Sequence, residues 1–114
     1  MIHWTKPGGK IFLETMLNEN PVDINVKYSH SENWKNQQPK YWESGWNVFS
    51  KATIEKYLIK KKVNNFTFNK FNLKSSLKKS DDLLRSWTVN LDGKNVLTNG
   101  LNFIQHHFII EIDL

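Results

Sequence analysis

The chain has 114 residues, of which 39% are hydrophobic and 13% aromatic; it has no cysteine and carries a formal net charge of +5. That length suits one hydrophobic core in one domain spanning residues 1–114, the composition is too apolar for a disordered chain, and the lack of thiols excludes disulfides and thiolate metal sites. No run approaches the ~18 apolar residues of a membrane span, and MIHWTKPGGK lacks the apolar centre of a secretion signal, so the expected location is cytoplasmic.

Taken in order, Ile2 to Trp4 is a candidate first strand, interrupted by the turn residues Pro7-Gly8-Gly9. In KIFLETML (10–17) the apolar residues Ile11, Phe12, Leu13, Met16 and Leu17 fit a helical stripe slightly better than a strand. Val22, Ile24, Val26 and Tyr28 alternate with polar residues, the period of a strand with one wet face. The polar stretch 29–44 contains Pro39 yet carries Trp34, Tyr41 and Trp42. These aromatics either pin a loop to the core or form an exposed anchor for a partner; interleaved with Lys35 and Lys40, they also suit stacking on single-stranded bases.

From Gly45 to Leu73 the chain reads as strand, helix, strand. Trp46, Val48 and Phe49 lead to Ser50, an N-cap candidate, and the helix is expected over 51–62. Ile54, Tyr57 and Leu58 share its core face, Ile59 widens that face, and Lys56 and Lys60 point away. Lys60, Lys61 and Lys62 close it, where cations oppose the partial negative charge of a helix C-terminus. Phe66 and Phe68 alternate with Thr67 and Asn69, and a bulge near Lys70 is expected because Phe71 and Leu73 break the period. Residues 74–85 form an excursion with one short helical turn behind Ser80. Trp87, Val89 and Leu91 alternate into the hairpin turn Asp92-Gly93, Val96-Leu97 starts the return strand, and Asn99-Gly100 is a further turn. In 103–114 the set Ile104, His106, Phe108, Ile110, Ile112 and Leu114 shares one strand face.

Charge is unevenly placed. Residues 51–79 hold nine lysines against the single acid Glu55, residues 1–50 are balanced, and residues 80–114 are net acidic. The basic segment is either a solvated face or a surface for phosphates or an acidic protein. The histidines His3, His30, His106 and His107 are the candidate acid–base groups. Adjacent residues of a strand face opposite ways, so His106 and His107 do not pair; His106 is expected to pack in the sheet and His107 to be solvated. No phosphate-loop, nucleophile-elbow or metal-ligand spacing occurs, so neither a catalytic set nor a cofactor nor a metal is expected.

Val48-Phe49-Ser50, the helix bearing Ile54, Tyr57 and Leu58, and Val63-Asn64-Asn65-Phe66-Thr67-Phe68 together resemble a segment of the bacterial immunity proteins of polymorphic toxin and contact-dependent inhibition systems, in the group that includes immunity protein 11. The resemblance covers about a quarter of the chain. It implies an antitoxin that binds and neutralises a cognate toxin domain without catalysis.

The expectation is therefore an α+β domain. Its mainly antiparallel sheet comprises strands near 22–28, 45–49, 63–73, 86–91, 94–98 and 103–113, with the 51–62 helix on one face. The expected partner-binding residues are Trp34, Tyr41, Trp42, Lys56, Lys60, Lys61 and Lys62. Besides the immunity reading stand a small nucleic-acid-binding module and, last, a small ribonuclease toxin.

Overall fold

Alternation along the C-terminal strand decides where the core lies. The computed structural model describes residues 1–29 and 42–114. Among these it forms β1 (Lys10–Asn18), β2 (Ile24–Tyr28), β3 (Glu43–Ser50), α1 (Lys51–Lys60), β4 (Phe66–Lys70), β5 (Trp87–Leu91), β6 (Lys94–Thr98) and β7 (His107–Asp113). Five strands make a sheet in the order β2-β3-β1-β7-β4, and β5 pairs with β6 in a separate hairpin. On β7, Phe108, Ile110 and Ile112 are almost completely buried. The register sets Ile11 of β1 and Phe66 of β4 beside Ile112, and Leu13 and Phe68 beside Ile110. Partners in register share a face, so one apolar layer runs across three strands.

The strand directions dictate the position of the helix. β7 is antiparallel to both β1 and β4, and β1 is parallel to β3. β4 therefore runs in the same direction as β3, and the chain must return along the sheet between them, which α1 does over the intervening strands. The sheet is consequently mixed. Leu58 of α1 is buried in the cluster of Ile11, Leu17, Val63, Phe108, Ile110 and Ile112, and Ile54 packs against it.

Both ends of α1 are built by local chemistry. The Ser50 Oγ accepts a hydrogen bond from the Thr53 N–H at 3.1 Å, as an N-cap should. Asp23, just before β2, completes this cap from outside: its carboxylate accepts from the Ser50 N–H at 2.6 Å and from the Thr53 hydroxyl at 2.9 Å. At the other end Lys62 adopts a left-handed φ of 62°. The Val63 N–H then reaches the Leu58 carbonyl at 3.0 Å and the Lys62 N–H reaches that of Ile59 at 2.8 Å. This is a Schellman stop, with Val63 packed in the same buried cluster as Leu58. The helix thus ends at Lys60 with Lys61 as its C-cap, and the expected end at residue 62 is the left-handed residue just beyond that cap.

Several sequence expectations are corrected. Ile2–Trp4 is a 3-10 turn, closed by the Trp4 N–H on the Met1 carbonyl at 2.9 Å, and not a strand. Residues 10–18 are a central strand and not a helix. Phe12 and Met16 lie on the reverse face of that strand, with Phe12 exposed, and apolar residues on both faces imitate a helical stripe. Tyr57 and Ile59 are 56% and 53% exposed, because this short helix buries only the narrow stripe of Ile54 and Leu58. The ladder of β4 is regular from Phe66 to Lys70, so there is no bulge there; the chain leaves the sheet after the Phe71 N–H donates to the His107 carbonyl at 2.8 Å.

Residues 81–85 form turns and no helix, although the Ser80 hydroxyl does accept from the Asp82 N–H at 3.1 Å. The expected long C-terminal strand begins only at His107, since Gln105 bridges to Leu97 of β6 instead. That segment links the hairpin to the main sheet. The Asp92-Gly93 turn stands, with φ of 49° and 76°, the left-handed pair such a two-residue hairpin requires. The Asn99-Gly100 turn stands as well. Asn99 is buried at its centre, with Nδ2 donating to the Leu84 carbonyl at 3.3 Å and Oδ1 accepting from the Leu101 N–H at 3.1 Å. No described helix is long and apolar enough to cross a membrane.

Candidate partner-binding surface

The surface of α1 away from the sheet carries Lys56 and Lys60 one turn apart, with Tyr57 and Lys61 on the adjacent stripe. All four side chains are exposed, as is Lys62 beyond the helix end. The Lys61 Nζ lies 5.8 Å from the centroid of the Tyr57 ring. Among the described residues none of Lys56, Lys60, Lys61 and Lys62 forms an ion pair. A cationic, partly aromatic ridge results, and the C-terminal carbonyls of α1 are largely satisfied by its own cap.

Beside this ridge lies a cavity of about 320 Å³, with Ile11, Leu13, Leu58 and Ile112 at its base, Tyr57 and Lys61 of the helix on one side and Met1 and His3 of the N-terminal segment on the other. An apolar side chain of a partner could seat in such a cleft while acidic groups around it met the lysines.

The lysines of the central segment do not make one patch. Lys70 pairs with Glu19 at 2.7 Å, and Lys51 approaches the same carboxylate at 3.7 Å. The hydrogen bond from Lys70 holds the Glu19 carboxyl below its ordinary range. Lys51 also places its Nζ 4.2 Å from the centroid of the buried Phe108 ring, so it closes the end of the core. Lys79 lies 5.3 Å from the Trp87 ring centroid, on the hairpin. The ridge on α1 is therefore a smaller unit than the sequence's basic segment, and it sits at the opposite end of the helix from Lys51.

Of the seven sequence-designated site residues, Lys56, Lys60, Lys61 and Lys62 come together on α1 and its cap. Trp42 is 73% exposed and precedes β3, a full strand upstream of the helix. Trp34 and Tyr41 lie outside the described residues. Tyr57 was assigned to the core by its spacing, and its place on this surface carries no sequence signal beyond the lysines around it.

The two adjacent histidines do face opposite ways. His106 lines a cavity beside Lys70 and Gln105, and burial, followed by the charge of Lys70, pushes its pKa below the ordinary histidine value against the opposing pull of Glu19. His107 is not solvated as expected. Its side chain is only 20% exposed, its Nδ1 contacts the Glu14 carboxylate, and its Nε2 is buried without a hydrogen-bond partner among the described residues. The pairing of β1 with β7 brings Met16 opposite His107 and Glu14 one step along, a contact that sequence alone could not supply.

Comparison of the chain with protein-family models, curated proteins and solved structures finds no match.

Proposed function

We propose that this protein is a non-catalytic immunity protein, which binds and neutralises a cognate toxin domain through the exposed surface of α1. The observation that carries this reading is the exposed Tyr57 beside Lys61 at the edge of an apolar cleft, with Lys56, Lys60 and Lys62 exposed on the same helix and just beyond its end and free of ion pairs among the described residues. An exposed aromatic group beside an accessible cleft suits protein recognition, because it supplies apolar contact area that water does not reward. The charge selects the partner's character: an acidic surface with a protruding apolar residue. The strand–helix–strand unit that resembles immunity proteins of polymorphic toxin systems is the same unit that presents this surface, which adds support.

Affinity purification of the tagged chain from its native host, followed by co-expression with any toxin that co-elutes, tests the reading. Wild-type protein is expected to relieve the toxin's effect on growth and to co-purify with it in equal amounts at high salt. The variant Tyr57→Ala with Lys61→Glu is expected to lose both properties while retaining its fold. Growth arrest unrelieved by the wild-type chain would contradict the proposal.

A second reading, a nucleic-acid-binding module, rests on the same uncompensated lysines. It differs in its salt response, since a complex held by phosphate contacts dissociates as salt rises. A nucleic acid retained at low salt and released at high salt, with no stoichiometric protein, would favour it. The ribonuclease reading, which ranks last, drew on His106 and His107; one lines the cavity beside Lys70 and the other meets Glu14, which speaks against a joint acid and base.

A further inference from the structure

A second cavity lies where β4 leaves the main sheet and passes the β5–β6 hairpin. It has a volume of about 280 Å³; Lys70, Asn72, Lys94, Asn95, Gln105 and His106 are the polar residues of its lining, and Phe71 and Val96 are among the apolar ones. No carboxylate lines it. Lys94 makes no ion pair among the described residues, and Lys70 is shared with Glu19 outside the cavity. Gln105 is 5% exposed, and its Oε1 accepts from the Ser86 hydroxyl at 2.7 Å. That bond fixes the amide and leaves its N–H groups as the uncommitted donors. The Phe71 ring is 44% exposed despite its size.

We propose that this cavity binds a small organic phosphate, of mononucleotide size at most, with the phosphate between Lys70 and Lys94 and the organic part against Phe71 and Val96. Two lysines, a fixed amide donor and an imidazole in one concavity offer several donors to phosphate oxygens, and the nearest carboxylate, Glu19 on Lys70, lies outside the lining. The volume stands near the lower end of small-molecule sites, which sets the size limit. The position is independent of the α1 surface. β4 runs from the end of the sheet where α1 finishes to the end where it starts, so Lys70 and Lys60–Lys62 occupy opposite ends. Neither proposal requires the other.

The test is an NMR titration of the ¹⁵N-labelled full chain with adenosine 5′-monophosphate, inorganic phosphate and benzoate, each at the same ionic strength. The expected result is saturable shifts confined to the amides of 70–73, 94–97 and 105–106, with the nucleotide binding more tightly than phosphate and benzoate binding least. Lys94→Gln, on the exposed hairpin and safe for the fold, is expected to weaken the nucleotide about tenfold, and Lys27→Gln, on the exposed side of β2, to leave it unchanged. Lys70→Gln should act as Lys94→Gln does, although its link to Glu19 makes it the less clean variant. Absence of saturable shifts, or equal loss with Lys27→Gln and Lys94→Gln, would overturn the site. Benzoate binding as tightly as the nucleotide would overturn the phosphate, and phosphate binding as tightly would overturn the role of the apolar wall.

Discussion

Leu58→Ala is the sharpest test of how α1 is held. Leu58 is 5% exposed and packs among Ile11, Leu17, Val63, Phe108, Ile110 and Ile112. Removing buried atoms of this kind costs about 2 to 5 kcal/mol, depending on how far the surroundings close over the gap. Here Leu58 also borders the open cleft of about 320 Å³, so the new space joins a cavity that solvent can enter. The cost therefore belongs near the lower end, about 2 to 3 kcal/mol. For a chain of this size that corresponds to a fall in melting temperature of roughly 8–15 °C. A helix of ten residues has little stability of its own, so the loss should appear as cooperative unfolding in urea followed by far-UV and tryptophan signals together. Tyr57→Ala, removing an exposed ring, should cost no more than about 0.5 kcal/mol. If Leu58→Ala costs under about 1 kcal/mol, or Tyr57→Ala costs as much as Leu58→Ala, the helix does not dock through this face.

The other predictions concern the two ends of the helix. Lys62→Gly should raise stability by about 1 kcal/mol in a denaturant titration, because φ of 62° strains a residue with a Cβ but not glycine; a loss would show that the Lys62 side chain contributes more than its strain costs. Ser50→Ala should lower stability by about 1 kcal/mol, measured the same way, through loss of the cap to Thr53. Asp23 is held below its ordinary pKa by the Ser50 N–H and then by the Thr53 hydroxyl. A carboxylate depressed in the folded state stabilises above its unfolded pKa and ceases to do so as pH falls through the folded one. The advantage of wild type over Asp23→Asn should accordingly be present at neutral pH and shrink as acid protonates Asp23; an advantage independent of pH would assign the effect to something other than the carboxylate.

Local chemistry was legible where it is written in adjacent residues. Ser50 announces its helix, Asp92-Gly93 its hairpin, and the alternation of Phe108, Ile110 and Ile112 its buried face. The misreadings arise where tertiary partners decide. KIFLETML becomes a strand because β7 and β3 flank it, and nothing within eight residues reveals that. Tyr57 shares a helical spacing with Leu58, but the helix rests on the sheet through too narrow a stripe to cover both. The Asp23 contribution to the cap spans 27 residues, and Glu14 meets His107 across 93. The phosphate-site candidates Lys70, Lys94, Gln105 and His106 come from three separate segments, so no spacing rule could assemble them. The charge count singled out the segment that holds α1, yet it merged lysines that close the core, such as Lys51, with those that face solvent on α1.

The most direct test of the functional account is the affinity of the co-purified toxin domain for wild type and for Lys60→Glu with Lys61→Glu, measured by calorimetry at two salt concentrations. The account predicts at least a tenfold loss for the double variant, a smaller difference at high salt, and an unchanged melting temperature. Equal affinities, with the folded state intact, would contradict the assignment of α1 as the partner-binding surface.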